Sequence, residues 1–372
     1  MKFTITAKIQ IYPTSDNIIL LKETMSVYRK GCNYISSIVF ETKVLNQCIL
    51  HDKTYRSLRN DYGLKSQMAQ SVVKTVIARY KSAKSNGHNW NIVKFKKPEV
   101  DLVWNRDYSI SGQVFSVNTL QGRLKIPYET KGMTQYFDGS WTFGTAKLVM
   151  KHNKYFLHIP VTKDIPEIRD DKIAQVIGVD FGMNFLAVAY GSDGKTYFDP
   201  GRKIKDKRAH FTRVRKSLQR VKTPSSRRRL KSLGSRENRW MTDVNHQVSK
   251  ALVLRYGKDA LFVIEDLTGI RKATECVRVK DRYYRVSWAF YQLRQMLEYK
   301  VRKAGSKVMA VDPSYTSQTC PKCAHIDKAN RDKKRHHFSC KSCGYQSNDD
   351  RIGAMNLQQI GMKYIAEVTM SV

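Results

Sequence analysis

The sequence lacks long hydrophobic runs. No stretch approaches the roughly 18 apolar residues that a membrane-spanning helix requires. Residues 1–13 alternate polar and apolar side chains, so they do not form the apolar centre of a signal peptide. These two absences exclude a membrane-spanning protein and lead us to expect a cytoplasmic one.

Acidic residues are also scarce relative to basic ones. The 372 residues include 67 Lys and Arg but only 32 Asp and Glu, which gives a formal net charge of +35. Such an excess repels itself unless a polyanion neutralises it. Nucleic acid is the partner that this balance favours, and an anionic membrane surface is the weaker alternative. The chain is long enough for two or three domains.

Cysteine is infrequent, with seven residues, and four of these are clustered. They form the pattern C-x2-C, a gap of 16 residues, then C-x2-C, and are Cys320, Cys323, Cys340 and Cys343. This spacing is typical of a zinc ribbon, in which two tight turns present four thiolates to one tetrahedral ion. We therefore predict one structural Zn²⁺ with no catalytic role. Cys32, Cys48 and Cys276 are interpreted as reduced packing residues.

The first half of the chain changes its hydrophobic period twice. Residues 2–12 alternate as a strand does, whereas residues 17–39 and 66–85 carry apolar side chains at helical spacing. Residues 90–165 return to strand-like segments, of which WNIVKF (90–95) is the first. These patterns predict one β-domain interrupted by a helical insertion.

The second half begins a different pattern near Lys172. QVIGVDFG reads as a buried strand and FLAVAYG as a second strand paired with it in a hairpin. DALFVIEDL reads as another buried strand, and KVMAVDP as a further strand. Amphipathic helices are predicted from Trp288 to Gly305 and from Asp350 onward. Strands and helices in this order suit a mixed α/β layer of the ribonuclease H type.

A strongly basic segment lies between these strands. Residues 202–240 hold sixteen Lys and Arg against two acids, and we predict a helical hairpin that turns at residues 224–226. A solvated charged face is the usual reading of such a run, but its length and one-sided charge favour a nucleic-acid groove. The candidate contacts in its second half are Arg227, Arg228 and Arg229.

Three carboxylates stand at the ends of predicted elements. Asp180 and Glu265 each follow a buried apolar run, and Asp350 opens the terminal helix. Taken singly, each has a structural reading, as a turn residue or as a helix cap, and Asp349 could provide the cap instead. Together they suit two Mg²⁺ ions, which activate water and stabilise the leaving oxygen of a phosphodiester. No Ser-His-Asp or Cys-His arrangement competes with this reading.

Several of these motifs together resemble the TnpB family of transposon-encoded, RuvC-like nucleases, which are related to type V CRISPR effectors. The resemblance rests on GVDFG, IEDL, YTSQTCPKC and CGYQSNDDRIGAMN, and extends to SWAFYQLRQMLEYK, IYPT and TLQGRLKIP. It departs at Ala324, where the family usually has Gly. It also departs in the last motif, which is usually D-x-N-A-A-x-N and here reads DRIGAMN (350–356). Counting back from Asn356 aligns the first Asp of that motif with Asp350 and not with Asp349.

The resemblance implies an RNA-guided DNA endonuclease in which Asp180, Glu265 and Asp350 are catalytic. Its partners would be a guide RNA copied from the transposon end and double-stranded target DNA with a flanking motif. We expect one protein per guide RNA, with a dimer as the alternative, acting at the nucleoid of a prokaryote. A guided repressor that does not cut and an RNA-independent, structure-selective nuclease are the competing readings.

The implied architecture is α/β plus β. The Gln amides of Gln67 and Gln70 are candidates for reading adenines, because such an amide can pair with adenine. The expected domains are a β-barrel-like wedge domain (1–14 and 90–168), a helical recognition insertion (15–89), an RNase H-like RuvC domain (169–314 and 348–372) and the inserted zinc ribbon (315–347).

Overall fold

Residues 2–182, 184–266 and 290–370 are described by the structure, which is a computed structural model. Cys276 and the start of the helix predicted at Trp288 lie outside these residues. The chain divides into two units, Met1–Asp164 and Ile165–Val372. Among the described residues, no helix has both the length and the apolar composition needed to cross a bilayer.

The first unit is built on a curled antiparallel half-barrel sheet. Strand β1 (Lys2–Ile11) lies inside it, between β8 and β5, and pairs with β8 from Lys2↔Asp164 to Ile11↔Tyr155. The strand predicted for residues 2–12 is therefore confirmed. The sheet order is β2-β7-β8-β1-β5-β4-β3, and β6 pairs with β8. The other strands are β2 (Glu99–Leu102), β3 (Tyr108–Ser111), β4 (Val114–Asn118), β5 (Arg123–Glu129), β6 (Thr142–Phe143), β7 (Ala146–Lys151) and β8 (Lys154–Asp164).

Helices α1 (Ser15–Thr42), α2 (Gln47–Asn60) and α3 (Ser66–Ser85) come between β1 and β2 in the chain. The first and third confirm the sequence prediction. Helix α2 was not predicted, because only Leu50, Thr54 and Leu58 are buried and they form too narrow a stripe to be recognised. Its start is nevertheless encoded locally, since the Asn46 side chain accepts hydrogen bonds from two backbone amides of its first turn.

The prediction of a strand at WNIVKF is wrong. Its backbone bonds with helix side chains rather than with a neighbouring strand. The amide and carbonyl of Phe95 both bond with the side chain of Asn33, and the Val93 amide donates to the Tyr80 hydroxyl. The apolar alternation of this segment therefore reflects packing against helices and not a sheet.

The second unit is built on a five-stranded mixed sheet of order β11-β10-β9-β12-β13. Strand β9 is antiparallel to β10 but parallel to β12, which is in turn parallel to β13. The predicted hairpin and buried strands are confirmed, and β11 is additional. The strands are β9 (Gln175–Asp180), β10 (Phe185–Tyr190), β11 (Thr196–Pro200), β12 (Ala260–Glu265) and β13 (Lys307–Val311).

Helices cover both faces of this sheet, which explains why residues 176–179 of β9 and 260–264 of β12 carry no polar side chain. Ile177 and Phe262 pack in one cluster with apolar residues of α5 and α6, whereas Val176 and Val263 pack on the other face against Leu357 of α7. The mixed α/β layer is thus confirmed. The helices of this unit are α4 (Arg202–Val221), α5 (Pro224–Tyr256), α6 (Phe290–Lys303) and α7 (Asp349–Met370).

The basic hairpin exists, but two of its predicted bounds are wrong. The second helix continues past residue 240 to Tyr256, because its C-terminal half carries the apolar side chains that pack on the sheet. Pro224 is not in the turn; it is the first residue of α5, where a missing N–H costs nothing. The turn is made instead by Lys222, with φ 56°, and by Thr223, which caps α5.

Candidate active site

Asp180 and Glu265 are the last residues of adjacent parallel strands. The register pairs Val179 of β9 with Ile264 of β12, so the two carboxylates that follow emerge at the same edge of the sheet. The carboxyl ends of parallel strands commonly form binding sites in this way. Each apolar run forms the buried strand that places the carboxylate after it at that edge.

Helix α7 brings Asp350 to the same edge by packing closely on β9. Two glycines permit this approach. A Cβ on Gly178 would overlap the carbonyl oxygen of Ala354 in α7, and one on Gly353 would lie 3.0 Å from Oδ2 of Asp180. We call the carboxylates of Asp180, Glu265 and Asp350 the acidic edge.

The acidic edge is electrostatically unfavourable by itself. Burial raises the pKa of Asp180 well above its ordinary value, and the nearby Glu265 and Asp350 raise it further. Burial also raises the pKa of Glu265 and of Asp350. Buried like charges are retained where something compensates them, and a divalent cation with oxygen ligands is the partner that such a donor set fits.

Part of that compensation comes from Arg331, a ribbon residue that the sequence reading missed. Its guanidinium donates to Asp349 (Nε to Oδ2, 2.8 Å) and to the Ser317 hydroxyl (2.9 Å), and lies 3.7 Å from Oδ1 of Asp350. It also lowers the pKa of all three carboxyls of the acidic edge, although burial outweighs it. Within the run KANRDKKRHH, no sequence signal distinguishes Arg331 from its basic neighbours.

The two consecutive aspartates of α7 differ in environment. The Asp349 side chain is fully buried and bound to Arg331, whereas that of Asp350 remains 10% exposed. Asn348 accepts hydrogen bonds from the amides of Asp350 and Arg351, so it caps the helix. The sequence alone suggests Asp349 as a possible cap and does not identify Asn348. The Asp349 carboxylate does accept from the Asp350 amide as well.

His336 approaches the same aspartates from the ribbon. Ligand atoms of His336, Asp349 and Asp350 lie within 4.8 Å of one another, and Asp180 and Glu265 are not part of that group. The His336 ring also contacts the side-chain amide of Asn184, to which Lys205 of α4 donates. The place of His336 beside Asp350 was not predicted from the sequence.

The four predicted cysteines come together in a second group. Their sulfurs lie within 4.8 Å of one another, with Cys320 to Cys343 at 3.6 Å and Cys323 to Cys340 at 3.5 Å. Sulfurs bound to one tetrahedral zinc at about 2.3 Å each have separations close to these. The backbone amide of Cys343 lowers the pKa of the Cys340 thiol to about 6, which favours its thiolate. The cluster therefore suggests zinc.

The ribbon itself is a small sheet joined directly to α7. Its strands are β14 (Arg331–Asp332), β15 (His337–Ser339) and β16 (Gln346–Asn348), and β16 leads without a gap into Asp349. Ala324 and Gly344 occupy equivalent places in the two cysteine turns, with φ of 59° and 69°. The alanine therefore adopts the left-handed conformation expected of the glycine that it replaces.

The predicted nucleic-acid residues fall in two separate places. Arg227, Arg228 and Arg229 are exposed in the first turns of α5. Gln67 lines a groove of about 890 Å³ in the first unit, where eight Lys and Arg outnumber two acids. Its side-chain oxygen accepts a hydrogen bond from Arg106. Gln70 is half-buried and is not among the residues that line this groove.

Two family profiles match the chain. One is described as "Cas12f1-like, TNB domain" and matches residues 290–357, which include the ribbon and the start of α7. The other, of the OrfB protein of IS605, is described as "Probable transposase" and matches residues 158–270, which include β9 to β12. Together they cover the segments that carry the acidic edge.

Individual relatives agree with these profiles. A TnpB-like protein of Methanocaldococcus jannaschii is 31% identical over 241 residues, which are 62% of this chain and 82% of that protein. The CRISPR-associated endodeoxyribonuclease Cas12f1 of Sulfoacidibacillus thermotolerans is 27% identical over 60% of this chain and 55% of its own length. The chain thus spans about half the length of some curated relatives that it matches.

The fold is similar to that of a solved Cas12f1 chain. That chain was determined by cryo-electron microscopy in a complex with single-guide RNA and target DNA. The TM-score is 0.63 at 12% sequence identity, covering 96% of this chain and 98% of the other. The likeness establishes a Cas12f-like fold, with mixed α/β structure, a curled antiparallel sheet and the four-cysteine cluster.

Proposed function

This chain belongs to the TnpB/OrfB family, which is related to the Cas12f type V CRISPR effectors, and on that premise we propose that it is an RNA-guided DNA endonuclease. It binds a transposon-derived guide RNA, finds double-stranded DNA beside a flanking motif, and cuts by Mg²⁺-dependent hydrolysis of phosphodiester bonds. The observation that carries this proposal is the convergence of Asp180, Glu265 and Asp350 at one edge of the mixed sheet.

The mixed sheet and its helices are, in this proposal, the RNase H-like (RuvC) domain. The carboxylates of Asp180, Glu265 and Asp350 would hold two Mg²⁺ ions, which would supply activation of the attacking water and stabilisation of the leaving oxygen. Each carboxylate would contribute oxygen ligands. Burial raises the pKa of all three, and the neighbouring Glu265 and Asp350 raise that of Asp180 further, so a bound cation would offset the repulsion between their ionised forms.

Other side chains of the second unit orient this site. The Thr316 hydroxyl donates to Oε1 of Glu265 at 2.6 Å, which holds the carboxylate in one rotamer. Arg331 is positioned to neutralise a phosphate oxygen as well as Asp350, since a guanidinium suits phosphate geometry. The ribbon, with its zinc, keeps Arg331 in register with α7.

The first unit is proposed to recognise nucleic acid. Its half-barrel sheet is the wedge domain and helices α1–α3 are the recognition insertion. The basic groove beside α3, lined by eight Lys and Arg, is the proposed seat of a nucleic-acid backbone, and Gln67 is its candidate base-reading amide. Gln70 stays a weaker candidate. Base pairing between the guide and the DNA supplies the sequence specificity, so the protein needs to hold only the backbone. The exposed side chains that would contact phosphates of the guide or the hybrid are Arg227, Arg228 and Arg229.

The test begins with the RNA that copurifies when the protein is expressed with its native flanking DNA. Sequencing should reveal a discrete RNA with a fixed scaffold and a variable 3′ end. The complex is then supplied with matched target DNA and Mg²⁺. We expect cleavage by the wild type and none by Asp180→Ala or Glu265→Ala, while both variants retain the RNA.

Each other outcome supports a different function. Guided binding without Mg²⁺-dependent cutting would identify a repressor and refute the nuclease. Absence of any defined RNA, with activity on branched DNA, would identify an RNA-independent nuclease. Cleavage that survives in either variant would refute the assignment of the acidic edge as the catalytic site.

A further inference from the structure

We propose that Tyr315 is a base-stacking subsite for a nucleotide of the DNA strand that enters the acidic edge. The inference rests on the proposed function, because it assigns a ligand group to a position beside that site. The subsite takes an unpaired nucleobase of any sequence, since every base presents an aromatic face.

The Tyr315 ring is accessible to solvent. The residue is 58% exposed. Among the described residues, no aromatic or cationic side chain stacks on its ring, although many such contacts occur elsewhere in the chain. The protein thus presents an aromatic surface to solvent without using it for packing.

The backbone of Tyr315 adopts an unfavourable conformation. Its φ is 64°, in the left-handed region that a bulky side chain rarely occupies and that glycine adopts freely. A glycine would satisfy this turn with less strain. Strained residues of this kind are concentrated at functional sites, where the surrounding structure enforces them. The strain and the unused ring both point to a role outside folding.

The surrounding structure holds this residue from both sides. We call residues 312–317 the anchored turn. The side chain of Asp312 accepts hydrogen bonds from the amide and hydroxyl of Ser314. The carbonyl of Tyr315 accepts from the amide and hydroxyl of Thr319, at 3.1 and 2.9 Å. The ring therefore projects from a rigid support and binds a base with little loss of backbone entropy.

The anchored turn is also attached to the acidic edge. Thr316, the next residue, is buried and donates to Glu265, and its carbonyl accepts a 2.6 Å hydrogen bond from Asn356 of α7. Ser317 accepts from Arg331. Three consecutive residues therefore have different partners. Tyr315 presents an aromatic face to solvent, Thr316 bonds to the predicted catalytic carboxylate, and Ser317 bonds to the neighbouring guanidinium. A phosphate at the acidic edge would place an adjacent base near the ring.

Photocrosslinking tests the subsite without requiring cleavage. Single-stranded DNA with 5-iodouracil at successive positions is irradiated with the full-length protein in the absence of Mg²⁺, and crosslinked peptides are identified by mass spectrometry. A crosslink at Tyr315 is expected. Tyr315→Phe should retain it, whereas Tyr315→Ala and Tyr315→Gly should reduce the crosslink yield by about tenfold or more.

A cleavage measurement with an abasic scan gives the second readout. Tyr315→Ala and Tyr315→Gly should slow single-turnover cutting by about tenfold, the size expected for one lost base stack. One abasic nucleotide near the cut should slow the wild type equally and slow the alanine variant no further. Tyr291→Ala, which removes an exposed tyrosine of α6, is the matched control and should leave both readouts unchanged.

The outcomes separate this inference from the proposed function. A crosslink that maps elsewhere, or Tyr315→Gly cutting as fast as the wild type, would overturn the subsite while leaving the nuclease in place. A Tyr315-dependent crosslink in a protein that never cuts would support the subsite and overturn the nuclease.

Discussion

Replacing Ala324 by glycine should tighten the zinc ribbon. Ala324 has φ 59° in the first cysteine turn, where its amide donates to the Cys320 carbonyl at 2.9 Å. The left-handed conformation costs a non-glycine residue about 1–2 kcal/mol. Glycine relieves that cost, but it also gives the unfolded chain more conformational freedom, which destabilises the folded state by about 0.4–1 kcal/mol. At the midpoints of these two ranges the net stabilisation is about 0.8 kcal/mol.

Zinc affinity is the appropriate measurement, because folding of a ribbon and binding of its metal are coupled. In competition with a chromogenic chelator, Ala324→Gly should lower the zinc dissociation constant about two- to fivefold. Gly344→Ala is the matched control. Gly344 has φ 69° in the second turn, and a Cβ there would meet nothing within 4 Å, so its effect is conformational and should have the opposite sign. Equal affinity in both variants, or shifts in the same direction, would refute the reasoning.

Three further predictions concern the second unit. Cys320→Ser should remove zinc and lower the melting temperature, and unchanged metal content by elemental analysis would contradict the ribbon. With Mg²⁺ omitted and no chelator added, the melting temperature should fall as pH rises from the ordinary carboxyl range, because the raised pKa of Asp180 means that the folded state binds more protons than the unfolded state. Asp180→Asn should flatten that dependence, and an unchanged slope would count against it. Gly178→Ala should destabilise the protein by about 3 kcal/mol in denaturant titration, because its Cβ would displace α7; wild-type stability would disprove the close packing.

The parts of the site that could be predicted from sequence are those with local signals. Apolar runs that end in an acid placed Asp180 and Glu265 at the ends of strands, and paired cysteines at fixed spacing identified the ribbon. Both signals work because the buried strand and the cysteine turn restrict the chain over a few residues. No long-range information was needed for either.

The remaining contacts depend on tertiary structure and leave no local trace. Arg331 reaches Asp349 because β14 pairs Arg331 with Phe338, a register that a run of basic residues does not disclose. WNIVKF resembles a strand, but its backbone is bound by helix side chains that are distant in sequence. Whether an alternating segment forms a strand is thus decided by the partner that it meets.

The position of β1 inside the first sheet has a consequence for synthesis of the protein. Strand β1 is synthesised before β8 and pairs with it over its whole length, so that Lys2 cannot pair until Asp164 has been made. Helices α1–α3 rely on local contacts and can form early, whereas the sheet closes only after β8 has been made. During translation the apolar face of β1 is therefore exposed for most of the synthesis of this unit, and a nascent-chain chaperone is the natural protection for it.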